Sequence, residues 1–188
     1  TVVVADPDRL DHVIGHAERV LVLGGGDSRA IPEADGDAVI DMEQIDPDEV
    51  ELPSWFRPDP GLAGDLAFIF FTTTGGTLQR WPVTNHRWAQ SAFGAASAAS
   101  IDGNDTVYCL TPLHHASGLL TTLGGTVVGG ARIALSSGIG PESFAREVYR
   151  YGITVVSYTW TMLNGIVRDP DLAITDHNPI RLFIGSGM

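Results

Sequence analysis

The chain has 188 residues, 44% of them hydrophobic and 8% aromatic, enough to bury one core of ordinary size. No apolar run approaches the roughly 18–20 residues of a membrane span, and the start TVVVADPDRL lacks the basic-then-apolar order of a signal peptide, so no membrane span and a cytoplasmic location are expected. The net charge of −12 argues against nucleic-acid binding, and because all 11 basic residues are arginine the chain has no means of Schiff-base chemistry or of a lysine-held phosphate.

The charge is uneven. Residues 1–60 carry 15 Asp and Glu against 4 Arg, and residues 61–188 carry 8 against 7, so the acidity belongs to the first third as a solvated face and loop. Val2–Ala5 and Val20–Leu23 are predicted strands, with a helix from Arg9 to Ala17 between them. His12 and His16 would stand one turn apart on that helix, but no third ligand accompanies them and they read as exposed histidines. From Gly24 to Gly61 the pattern dissolves into an acidic connection with one weak apolar run, Ala38–Ile40. Such a length is a surface excursion or a subdomain boundary, and the chain divides on this reading into an acidic βαβ piece with its loop, 1–60, and an α/β subdomain, 61–188.

Leu66–Phe71 is an apolar strand running into a hydroxyl- and glycine-rich loop, Thr72–Thr77, with Arg80 just beyond. Asn85–Ser100 is alanine-rich and reads as a helix with Asn85 as its cap. Thr106–Leu110, Arg132–Leu135, Thr154–Ser157 and Arg181–Ile184 read as strands. Ser117–Leu123, Pro141–Tyr151 and Trp160–Arg168 read as helical connections. Apolar strands alternating with helices predict an α/β fold, a mostly parallel sheet flanked by helices. The lone Cys109 reads as a small buried hydrophobe, and Asp102 and Asp105 in IDGNDT as turn formers.

In open parallel sheets ligands bind beyond the carboxyl ends of the strands, and three distinctive loops are expected there: Thr72–Arg80, Pro112–Gly118 and Gly185–Gly187. In the first, small residues would let backbone N–H groups approach a phosphate, Thr72, Thr73, Thr74 and Thr77 would add hydroxyls, Gly75 and Gly76 would free the backbone, and Arg80 would supply a guanidinium fork. The string matches neither the P-loop nor the Rossmann turn. Gly185-Ser186-Gly187 supplies only the centre of a hydrolase elbow, and His114 and His115 have no metal-ligand spacing around them, so no metal site is expected.

Taken together, the three segments resemble the adenylate-forming superfamily: acyl-CoA synthetases, luciferases and peptide-synthetase adenylation domains. FTTTGGTLQR, followed by His86, is similar to the family's Y-T-S-G-T-T-G-x-P-K-G-V…T-H, with Thr74 and Thr77 on family glycines, Gly75 and Gly76 on threonines, and Arg80 on the lysine. PLHHASG (112–118) resembles P-L-F-H-x-x-G, which implies that His115 gates the carboxylate-substrate pocket. Residues 151–166 resemble the V-T-x-x-x-x-V-P-T-x-L stretch that lines the acyl pocket, with Trp160 where proline is common. IRLFIGSGM resembles L-R-x-x-x-x-G-G-A, which implies that Gly185, Ser186 and Gly187 approach the adenine and the acyl chain.

The resemblance implies a fatty-acyl-CoA ligase-like parent that uses ATP with Mg2+ and coenzyme A on a carboxylic, fatty acid substrate. It also implies that this chain is an internal piece of the large N-terminal domain, inactive without the remainder of the parent chain. The alternative is a degenerate, non-catalytic AMP-binding-fold protein used for ligand sensing or for contacting a partner.

Overall fold

The computed structural model describes residues 2–24, 31, 38–59, 61–135, 141–168, 172 and 174–186. The chain divides into two compact units, Thr1–Asp59 and Pro60–Met188. No described helix is long and apolar enough to cross a membrane.

The first unit is a three-stranded parallel sheet of β1 (Val2–Ala5), β2 (Arg19–Val22) and β3 (Val39–Asp41), with β2 in the middle. The weak apolar run at Ala38–Ile40 is thus the third strand. Asp6 ends β1 and caps a 3-10 turn, Pro7–Arg9, by accepting from the Asp8 N–H at 3.0 Å. The helix that follows is shorter than the sequence suggests: α1 is only Leu10–Val13, because Ile14 is extended and Gly15 takes a φ of 84°. His16 therefore lies beyond the helix, and the one-turn spacing with His12 does not form. Leu10, Val20 and Val22 make the core of this unit.

In the second unit, β4 (Leu66–Thr74) and β5 (Thr77–Thr84) form an antiparallel hairpin, and α2 (Asn85–Ala99) follows directly. Thr84, one residue earlier than expected, caps α2 through its Oγ1, which accepts from the Arg87 N–H at 3.3 Å. Next come β6 (Thr106–Cys109), a π-helical stretch at Ser117–Leu123, α3 (Gly124–Gly129), β7 (Arg132–Leu135), α4 (Pro141–Tyr151), β8 (Val155–Thr159), α5 (Trp160–Val167) and β9 (Leu182–Ser186). The last four strands make a parallel sheet in the order β7-β6-β8-β9.

Strand alternation sorts the apolar residues to two faces. Val107 and Val155 pack with Ala99 and Ile101, whereas Tyr108 and Val156 pack with Phe144, Val148, Ile153 and Ile166. Each such buried aliphatic side chain contributes roughly 1.5–3 kcal/mol. Tyr108 stacks on Phe144 with ring centroids 5.8 Å apart, and its hydroxyl hydrogen-bonds Glu147.

At the amino ends of the strands lies a polar cluster that the turn reading of IDGNDT misses. Both aspartates form the turn, Asp102 Oδ1 accepting from the Asn104 N–H at 2.8 Å and Asp105 Oδ2 from the Asp102 N–H at 3.1 Å, but Asp105 is in addition only 4% exposed and ion-paired. Arg181 Nε and Nη2 donate to its two oxygens at 2.9 and 2.6 Å, and Thr154 Oγ1 donates at 2.6 Å. The remaining guanidinium N–H groups cap α2, reaching the carbonyls of Ala99 at 3.0 Å and Ser100 at 2.9 Å, where the helix ends in a left-handed residue. The Arg181 guanidinium, bonded to Asp105, holds its carboxyl well below the usual carboxylate range against the opposing cost of burial.

Candidate functional site

The segment read as a phosphate loop is a β-hairpin. Thr72, Thr73 and Thr74 complete β4, Thr77 through Arg80 begin β5, and Gly75 and Gly76 alone make the turn, with φ of 59° and 79°. Two adjacent positive-φ residues are what a tight right-twisting hairpin needs, and glycine adopts them without steric cost. The expected open loop does not form, because moving the glycines to the two central positions favours the two-residue turn, and ladder pairs such as Thr74–Thr77 and Thr73–Leu78 close around it.

The hairpin has two faces. Phe68, Phe70, Thr72, Trp81 and Val83 share one, and this face turns to α2: Val83 is buried and Phe68 meets Trp88 edge-on at 5.1 Å. Trp81 Nε1 donates to Thr72 Oγ1 at 3.0 Å, which fixes the hydroxyl as an acceptor there and leaves its hydrogen to donate elsewhere. Arg80 stands opposite Phe71 on the other face, with Thr73 and Leu78.

Three clefts lie near the carboxyl ends of the parallel strands. The largest, about 880 Å³, runs between the hairpin (Phe70 to Thr73 and Trp81 to Val83), Arg87 on the first turn of α2, and His114, His115 and Ala116. A second, of about 470 Å³, is bordered by Thr111, Pro112, His115, Ala116, Ser117, Thr159 and Met162, so His115 and Ala116 belong to both. The third, of about 330 Å³, is more apolar, with Ala95, Ala98, Ala99, Leu182, Ile184 and Gly185 in its walls, and it shares Ser117 with the second.

The shared segment is held from below. Gly118 is required there: a Cβ would lie 2.3 Å from the Pro112 carbonyl oxygen. The Ser117 carbonyl accepts from Thr122 Oγ1 at 3.0 Å, Thr122 Oγ1 meets Ser157 Oγ at 2.6 Å, and Thr111 Oγ1 lies 3.5 Å from the same serine. The π-helical winding of Ser117–Leu123 belongs to this anchorage. Cys109 is buried in the same layer with its thiol on the Thr111 carbonyl at 3.1 Å, and burial pushes its pKa up, so it is an inert core residue as expected. Gly185 fits for a similar reason, since a Cβ would come within 2.8 Å of the Tyr158 ring.

Of the residues singled out from the sequence, Thr72, Thr73 and His115 border the large cleft, and Gly185 borders the apolar one. Thr74, Gly75, Gly76 and Thr77 form the hairpin tip and Arg80 lies on β5, and none of these five borders the three clefts. Trp160 opens α5 with 49% of its surface exposed and borders none of the three. The expected Gly185–Gly187 loop is in part strand: Gly185 and Ser186 pair with Tyr158 and Thr159, while Gly187 lies outside the described residues. Arg87 and Ser157 escaped the sequence reading, whereas Ser117 lies in the Pro112–Gly118 loop that it singled out. Of these Arg87 had a legible signal, since it is the cation on the first turn of a helix that begins directly after the hairpin.

A family model described as "AMP-binding enzyme" matches residues 4–188. Long-chain fatty acid transport protein 1 of Rattus norvegicus is 24% identical over 151 residues, 79% of this chain and 23% of that protein. The medium/long-chain-fatty-acid–CoA ligase FadD6 of Mycobacterium tuberculosis is 28% identical over 129 residues, 67% of this chain and 21% of the ligase. ATP-bound MatB from Rhodopseudomonas palustris superposes with a TM-score of 0.69 at 21% identity over 98% of this chain and 34% of that one. The chain thus spans under a quarter of the length of these curated relatives.

Proposed function

The chain belongs to the AMP-binding enzyme family, and from that premise we propose that it is the part of a fatty-acyl-CoA ligase-like enzyme that receives the carboxylic acid and the phosphate end of ATP. The names of the relatives, a fatty acid transport protein and a fatty-acid–CoA ligase, support an acyl substrate, and the ATP-bound neighbour supports the nucleotide. The parent reaction joins a carboxylate oxygen to the α-phosphorus of ATP as the bond to pyrophosphate breaks. The thiol of coenzyme A then takes the acyl group and AMP leaves.

The observation that carries this reading is the line of three clefts meeting at His115–Ser117. The apolar cleft suits an acyl chain, the hydroxyl- and guanidinium-bearing cleft suits phosphates, and His115 stands at the junction, where the carboxylate would meet the α-phosphate. Its imidazole there orients the acid and excludes water from the reacting atoms. Mg2+ would neutralise the polyphosphate. Among the described residues no trio of His, Cys, Asp or Glu is grouped to hold it, so this chain's own part is the Thr72 and Thr73 hydroxyls and nearby guanidinium charge. The 188-residue chain alone is proposed to be inactive.

Acid-dependent exchange of labelled pyrophosphate into ATP, measured in the full-length protein that carries this chain, tests the reading. Exchange that requires a medium- or long-chain fatty acid and falls about 10- to 100-fold in His115→Ala supports it. ATP binding without exchange under any carboxylic acid would overturn it. One observation favours the non-catalytic alternative: ladder pairing up to the Thr74–Thr77 pair occupies backbone groups that an open phosphate loop would present to its ligand. Binding without exchange is the outcome it expects.

A further inference from the structure

We infer that Arg87, and not Arg80, is the cation that meets the β- and γ-phosphates of the bound nucleotide. The inference rests on the phosphate reading of the large cleft and adds which residue supplies its charge. Three observations carry it. The first is place: Arg87 borders the cleft together with Thr72, Thr73, His114 and His115, whereas Arg80 does not. Both faces of the hairpin contribute to the cleft, Phe71 and Thr73 from the face that carries Arg80 and Phe70 and Thr72 from the other, yet Arg80 itself does not border it.

The second observation is charge. Among the described residues no Asp or Glu borders the cleft, and Arg87 is the one arginine that does. The third is availability. Among the described residues the Arg87 side chain has no ion-pair or hydrogen-bond partner, and only its backbone N–H is engaged, on Thr84 Oγ1. The contrast with Arg181 is direct, since that guanidinium spends its donors on Asp105 and two helix carbonyls. A planar fork that borders the same cleft as two threonines, one of them with its hydroxyl hydrogen free, is donor chemistry for phosphate oxygens. The position also fits the departure of this hairpin from an open loop. With the tip folded into a tight turn, the cation on the following helix borders the cleft and the strand cation does not.

The test uses the full-length protein that carries this chain, with MgATP, AMP and inorganic pyrophosphate as probes, and the variants Arg87→Gln, Arg87→Lys and Arg80→Gln. Arg87→Gln is expected to raise the Kd for MgATP and for pyrophosphate about 10- to 100-fold, the loss of one or two charge-assisted hydrogen bonds. AMP, which lacks the β- and γ-phosphates, should bind with its Kd changed by less than about twofold on the same argument. Arg87→Lys should recover part of the loss, because charge returns without the fork. Melting temperatures report on folding, and Arg87 is exposed enough that Gln and Lys both fit. A larger loss of MgATP affinity in Arg80→Gln than in Arg87→Gln would return the role to the hairpin arginine and overturn the inference while leaving the phosphate reading intact. Equal loss of AMP and MgATP affinity in Arg87→Gln would overturn it as well, since the residue would then act on the nucleoside end. Wild-type protein that binds neither MgATP nor pyrophosphate would sink the phosphate reading itself, and this inference with it.

Discussion

At the amino ends of the parallel strands, Asp105, Thr154 and Arg181 each stand one residue ahead of their strand and satisfy one another, with the surplus donors of the arginine closing the end of α2. Near the carboxyl ends of the same sheet, the separate β4–β5 hairpin, the first turn of α2 and the 114–116 segment leave an unpaired arginine, two histidines with ring centroids 4.5 Å apart and threonine hydroxyls around an open cleft. The chemistry is similar at both ends, and the difference is whether partners lie within the fold or remain to be brought by a ligand. A satisfied cluster joins elements and contributes stability, whereas an unsatisfied one held on rigid strands is available for binding.

The sharpest way to break this contrast is Asp105→Ala. It strands a guanidinium among helix carbonyls and is expected to destabilise the chain by about 3 kcal/mol, toward the low end for a buried pair because the Arg181 side chain is 40% exposed. Urea unfolding measures it, and a loss below about 1 kcal/mol would mean the cluster is ornamental. Gly118→Ala should come next, at roughly 2–3 kcal/mol, because its Cβ must displace the Pro112 carbonyl and with it the segment shared by the clefts. Thermal unfolding reads this, and an unchanged melting temperature would show that the segment yields freely.

Acid separates the two ends by a different route. Because the folded pKa of Asp105 is depressed, its stabilisation is fully present above the ordinary carboxylate pKa of about 4 and is lost as pH falls below that value toward the folded one. The wild-type chain should therefore lose stability below about pH 4, and Asp105→Asn should flatten that part of the profile. A profile that is the same in both proteins would move the acid sensitivity elsewhere. The smallest effect is expected at the hairpin tip. Gly76→Ala must hold a left-handed residue at a φ of 79°, which costs about 1–2 kcal/mol while leaving both ends of the sheet intact.

Much of the architecture was legible because the second unit obeys local rules. The continuously apolar runs at Thr106–Leu110 and Thr154–Ser157, set between helical segments, indicate a parallel sheet covered on both faces, and the alanine-rich run at 85–99 indicates a helix. The errors have physical reasons. Thr-Gly-Gly-Thr between two extended runs is a hairpin signal, and it was outweighed by the hydroxyl and glycine content that also suits a loop. The helix expected to Ala17 stopped at Val13 because Ile14 and Gly15 end it locally. Asp105 is the turn residue that the sequence suggests, but its ion pair was not legible because Arg181 is 76 positions away.

The sequence by itself determined most strands and helices of the parallel sheet, the family resemblance and the absence of lysine, which leaves arginine as the long cationic side chain. Only the tertiary structure shows which arginine borders the large cleft. Arg80 on β5 does not, Arg181 is consumed in a distant pair, and the start of α2 brings Arg87 there. Residue chemistry is local, but whether a charge is already neutralised depends on residues far away in the chain, and only folding brings those together.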